Sequence, residues 1–135
     1  MARACISALW LYHDYLDESH KISQSLNTRE GSYWHAILHR REGDHSNSKY
    51  WFARTGSHPV YTPLWAAAKR LASNETLEDA ARFLADQPRW QPETFVDLCR
   101  ACVTGNATCE KLCREVQRVE WGLLFDYCYR HAIGK

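Results

Sequence analysis

Residues 33–44 read Tyr33-Trp34-His35-Ala36-Ile37-Leu38-His39-Arg40-Arg41-Glu42-Gly43-Asp44, and the last two of them decide how the chain is organised. A helix over about Tyr33 to Glu42, with Ser32 as its cap, would end at Gly43, which reaches the positive φ of a C′ position without a Cβ clash. Asp44 is then the N-cap of a following helix, about His45 to Thr55, and Gly56 ends that one. A helix–Gly–Asp–helix junction leaves no room for a strand. The same punctuation recurs outward along the chain. A long first helix is predicted from about Ala4 to Leu26, on which Ile6, Leu9, His13, Leu16 and His20 step by three and four and line one face. Thr62-Pro63 is an N-cap followed by proline at the first helical position, opening a helix to about Ala72. Thr76 and Asp79 resemble a capping box for a helix from Leu77 to about Asp86. Pro92 opens a helix to about Thr104, Gly105 and Asn106 turn the chain, and a long last helix runs from Ala107 to about His131. The only strand candidate, Pro59-Val60-Tyr61, is short and contains proline. The expected fold is all-α: one bundle of about six to seven helices over residues 1–135, with long first and last helices as its central pair.

Composition agrees. A length of 135 residues is that of one domain, since domains most often run about 100–150 residues. Hydrophobic residues make up 45% and charged residues 24%, which excludes a disordered chain, a collagen and a coiled-coil rod. The net charge of +1 gives no field that would draw nucleic acid or an anionic membrane, so neither is expected as a partner. No stretch approaches the roughly 20 apolar residues that span a bilayer. The opening Met1-Ala2-Arg3-Ala4-Cys5-Ile6 lacks the pattern of a cleaved signal peptide. A cytoplasmic location with reduced thiols is the expectation.

The densest chemistry lies between Leu11 and His58. His13, Asp17 and His20 share one face of the first predicted helix, and His35, His39 and Glu42 repeat the same spacing on the second. A short turn joins the two helices, so the faces are expected to meet as they do in the metal sites of helical bundles. Imidazole with carboxylate suits a divalent Zn, Mn, Fe or Ni ion. The expected ligands are His13, Asp17, His35 and His39, with Glu42 and His39 as the candidate catalytic pair. His35-Ala36-Ile37-Leu38-His39 lacks the glutamate of H-E-x-x-H, so a zincin-type protease is not indicated. Without a metal, Arg41, Asn47 and Arg54 would orient a small polar molecule, with Trp34 and Trp51 as its aromatic wall. Against both stands the plainer reading of a hydrogen-bonded polar layer, with Trp51 filling the core.

Five of the six cysteines fall in the last third of the chain, four of them as Cys99-x2-Cys102-x6-Cys109-x3-Cys113. Phe95, Leu98, Cys99 and Cys102 form one helical stripe, and Cys109, Leu112, Cys113 and Val116 another. Core packing is therefore the first reading, because a free thiol behaves as a small hydrophobe. Thiolate metal binding or redox sensing is the second.

The run Tyr33–Asp44, followed by Asn47, Lys49, Tyr50 and Trp51, resembles a group of uncharacterised bacterial and fungal proteins. His13-Asp14-Tyr15-Leu16-Asp17, Glu120-Trp121 and Phe125-Asp126-Tyr127-Cys128 belong to the same pattern, so the resemblance spans most of the chain. It implies no assigned activity, fold or cofactor, and it marks His35, His39, Arg40, Glu42 and Asn47 as candidates. The expected function is a polar pocket between helices that binds a small polar molecule or a metal ion, with metal-assisted hydrolysis as its enzymatic form. The alternative is a helical protein–protein interaction module with a structural polar cluster. Homo-oligomerisation is compatible with either.

Overall fold

A computed structural model describes residues 1–135. It is all-helical and contains no strand. The helices are α1 (Ala2–Tyr12), α2 (Leu16–Ser25), α3 (Arg29–Glu42), α4 (His45–Thr55), α5 (Tyr61–Ser73), α6 (Phe83–Asp86), α7 (Pro92–Val103) and α8 (Glu110–Ala132), with a 3-10 turn at Asp79–Ala81. None is long and apolar enough to cross a membrane. The chain divides into two compact units, Met1–His58 with Leu124–Lys135, and Pro59–Leu123.

The count of eight α-helices corrects the expected six to seven, and the decisive difference is in the first helix. It does not run from Ala4 to Leu26 but stops at Tyr12, and α2 restarts at Leu16. Asp14 takes φ 67°. Its N–H bonds Leu11 O at 3.1 Å, and the Tyr15 N–H bonds Trp10 O at 2.9 Å. That pair of bonds is a Schellman end with aspartate where glycine is usual. Aspartate tolerates the left-handed conformation better than most residues, but does not demand it. The demand comes from α3. Arg41 donates to Leu11 O at 3.0 Å and to Asp14 Oδ1 at 2.6 Å, gripping that carbonyl and the turn residue together. The face of α1 that turns inward also differs from the stepped set. Ala4, Cys5, Ser7, Ala8 and Leu11 are buried, whereas Ile6 and Leu9 are exposed.

In the first unit the central element is α3, not the first helix. Every residue from Glu30 to Arg40 is buried. Its N-cap is Thr28, whose side chain accepts from Gly31 N at 3.0 Å, four residues before the expected Ser32. Its end follows expectation, with Gly43 at φ 82° and the Asp44 side chain accepting from Asn47 N to open α4. Small residues admit the neighbouring helices. Ser7 Oγ lies 3.0 Å from Ser19 Oγ where α1 meets α2, and Ser48 Oγ donates to Ala36 O at 2.7 Å where α4 meets α3.

In the second unit, α5 begins at Tyr61 with Val60 as its N-cap and no side-chain cap, two residues ahead of the expected Thr62 cap. The expected helix Leu77–Asp86 is instead a 3-10 turn and the short α6. Glu78 shows why this segment is irregular. Its carboxylate accepts from Thr108 N at 2.8 Å and Cys109 N at 3.1 Å, so it caps α8 from thirty residues away. The hydrogen bonds from Thr108, then Cys109, hold Glu78 below the ordinary glutamate pKa, as expected for a carboxylate on exposed helix N–H groups. Pro92 occupies the first turn of α7 as predicted.

The α2–α3 joint is tight. A Cβ on Gly31 would stand 2.6 Å from Leu26 Cβ and 2.6 Å from Leu26 O. The Leu26 carbonyl is backbone and cannot swing aside. Gly31→Ala is therefore expected to cost about 1–3 kcal/mol, as overpacking does, read as a lowered thermal midpoint. An unchanged midpoint would mean that the joint relaxes freely.

Candidate metal centre

Three imidazoles converge where α2 crosses α3. His20 comes from α2, and His35 and His39 come from successive turns of α3. One donor nitrogen from each lies within 4.8 Å of the other two. The ring centroids of His20 are 4.7 Å from His35 and 5.4 Å from His39, and His35 and His39 stack at 4.7 Å. His35 and His39 are buried and His20 is half-buried. The i, i+4 spacing puts the two α3 rings on one face, and the α1–α2 turn swings His20 onto it.

The surroundings fix these rings. Trp51 of α4 lies flat on His35, with centroids 3.9 Å apart and planes within 15°. The Arg54 guanidinium sits 5.4 Å above the Trp51 ring. His39 Nδ1 is 2.9 Å from Glu42 Oε1. That contact has an ion-pair distance without hydrogen-bond geometry, so both nitrogens of His39, and the Nδ1 of His35, are buried without a hydrogen-bond partner. Burial, then the proximity of His39 and His20, pushes His35 down to about 3. It is therefore a neutral imidazole at physiological pH, the state in which histidine ligates a metal.

The expected site residues are distributed as follows. His35 and His39 belong to the cluster, and Glu42 is bound to His39. His13 and Asp17 do not join it: His13 caps α1, and both are exposed. Arg41 is engaged by Asp14 and Leu11 O. Asn47 Nδ2 donates to Asp44 Oδ2 at 3.3 Å. Arg54 and Trp51 stack on each other beside His35, and Trp34 is fully buried against the Cys128 thiol. Each of these aromatic and cationic residues thus has a partner within the helices. His20 was visible in the sequence as the third member of the His13–Asp17–His20 face. The break at Asp14 parts His13 from it, while Asp17 stays on α2 but is exposed.

A second buried pair lies on the same helix. Glu30 Oε1 is 3.3 Å from His58 Nε2, and both side chains are nearly inaccessible. His58 is enclosed by the rings of Tyr33 at 5.4 Å and Tyr127 at 4.8 Å. Nothing in the local spacing joins residues so far apart in the chain. The hydrogen bond from His58 outweighs burial and holds Glu30 below its ordinary pKa.

No protein-family model matches the chain, and neither the curated proteins nor the solved structures compared with it include a match.

The Glu30–His58 contact has a pH signature. A depressed carboxyl pKa contributes stability above the unfolded glutamate value, about 4.3, and loses it as the pH falls through the lower folded value. Glu30→Gln should cost about 1–3 kcal/mol at neutral pH, the range for a buried hydrogen bond to a charged group. The stability gap between wild type and variant should narrow below about pH 4. Urea unfolding from pH 7 to pH 3 measures it, and a gap that does not change with pH would remove the ionised pair.

Proposed function

We propose that this protein binds a divalent transition-metal ion through His20, His35 and His39, with Glu42 orienting His39. One observation carries the reading: imidazoles from two helices converge, and the nitrogens that His35 and His39 bring from α3 are buried without hydrogen-bond partners. Native interiors rarely leave such groups unsatisfied, and an ion is one of the few occupants that would satisfy several at once. Ligand nitrogens around an ion at about 2.1 Å stand roughly 3.4 Å apart in tetrahedral geometry. The rings therefore need only a small inward movement. Zinc is the preferred ion, with Ni, Fe and Mn as alternatives, because imidazole ligands suit that set.

Three protein nitrogens leave a coordination position for a non-protein ligand, the arrangement found in catalytic sites. An ion there supplies Lewis acidity and water activation, so metal-assisted hydrolysis is the reaction class we infer. Glu42 is the carboxylate placed to accept a proton. A single helical domain in a reducing cytoplasm fits this reading.

Trp51 provides the readout, because it lies flat on a ligand. Nickel titration should quench tryptophan fluorescence saturably, and Trp51→Phe should remove most of that quenching. The His35→Ala, His39→Ala double variant should abolish saturable binding while keeping its helical circular dichroism. Glu42→Gln should weaken binding about 10–100-fold, as loss of a partner that orients a ligand does. Equal quenching in the folded double variant would sink the proposal.

An interaction module remains the second reading, and the exposed Ile6, Leu9, Trp10, Tyr12 and Tyr15 on and after α1 favour it. A mass that rises with concentration in sedimentation, and that Leu9→Glu returns to the monomer, would support a homo-oligomer. A monomer at all concentrations would leave that face without a self-partner.

A further inference from the structure

The second unit holds a separate group of soft ligands. Cys102 Sγ lies 3.7 Å from Cys109 Sγ and 3.9 Å from Cys113 Sγ. The three sulfur atoms all lie within 4.8 Å of one another. Three thiols therefore form one connected cluster, drawn from the last turn of α7 and the start of α8 across the turn at Gly105. Cys99 stands one helical turn before Cys102 on the same face of α7, placed to supply a fourth sulfur. None is in a disulfide.

The distances suit a tetrahedral ion. Sulfur at about 2.3 Å from zinc gives edges of roughly 3.8 Å between sulfurs. Simple core packing would explain Cys99 and Cys113, which are buried, but not Cys102 and Cys109, which are half-exposed. The backbone is also set for the site. The Asn106 N–H bonds Ala101 O at 2.8 Å and the Gly105 N–H bonds Cys102 O, ending α7 just past Cys102. Glu78 caps the Thr108 and Cys109 amides and so fixes where α8 presents Cys109. Gln117 Nε2 donates to Cys99 Sγ at 3.8 Å, the kind of N–H···S contact that stabilises a sulfur carrying negative charge.

We infer that Cys99, Cys102, Cys109 and Cys113 form a zinc site of the closed, four-thiolate kind, which clamps the end of α7 to the start of α8. Its role is structural, because four protein ligands leave no position for substrate. It is independent of the histidine cluster and stands whether or not that cluster binds metal.

Cobalt distinguishes the two sites, since thiolate ligation adds an intense near-ultraviolet charge-transfer band that imidazole ligation lacks. Cobalt titrated into the reduced full-length protein should produce that band at one equivalent. Zinc should displace it. The His35→Ala, His39→Ala variant should retain it, and Cys102→Ser with Cys109→Ser should lose it. Because a cysteine variant could fail to fold, thiol labelling of the wild type is run in parallel. Zinc should slow modification of four of the six thiols, and chelator should restore the rate. Absence of the band at excess cobalt, or labelling rates indifferent to zinc, would overturn the site. A band that disappears in the histidine variant but survives in the cysteine variant would do so as well.

Discussion

The grip of Arg41 on the α1–α2 turn organises the first unit. One guanidinium reaches both the Leu11 carbonyl, which also accepts the Asp14 N–H, and the Asp14 carboxylate. The contact is partly exposed, so its contribution to stability is modest. Its structural effect is larger. It selects a left-handed aspartate over helix continuation and reverses the chain direction after eleven residues of α1. It thereby separates His13 from Asp17 and His20, which stay together on α2. Without that break, His13 would continue the same helical face as Asp17 and His20.

The consequence is an unusual central helix. α3 is enclosed over its whole middle, yet carries Glu30, His35, His39 and Arg40 among its buried residues. A helix of such polarity is stable in the interior only when its polar groups find partners. Glu30 finds His58, His39 finds Glu42, and Arg40 lies over the Phe52 ring. What is left over is a set of imidazole nitrogens aimed at one another. Trp51 presses on that set from one side and holds His35 in place. The rigidity that makes the cluster a credible ligand set comes from helix packing, so its geometry should persist without an ion.

The second unit solves a different problem. Its polypeptide between α5 and α7 is irregular, and Glu78 uses that irregularity to cap α8. Cysteines then cluster at the α7–α8 turn, where the hydrophobic contribution of small side chains is limited. The two units thus gather different donor types, nitrogen in the first and sulfur in the second.

The all-helical class was legible in the sequence, because Gly43, Asp44, Gly56, Pro92 and Gly105 act through their own φ angles and hydrogen-bonding groups. Those effects are local, and the structure places each at a helix end or first turn. The i, i+4 partnership of His35 with His39, and the nearness of Glu42, follow from helix geometry in the same way. Other features depended on contacts between residues distant in the chain. The break at Asp14 required an arginine twenty-seven residues away, and the capping of α8 required Glu78 thirty residues upstream. A periodic pattern reports which residues share a face only while the helix continues, so the spacing alone did not show that His13 and His20 lie on different helices. The sequence by itself determined helices, their principal stops and the chemistry available on each. Only the tertiary structure decided which of those side chains meet, because a meeting depends on how one helix is turned against another.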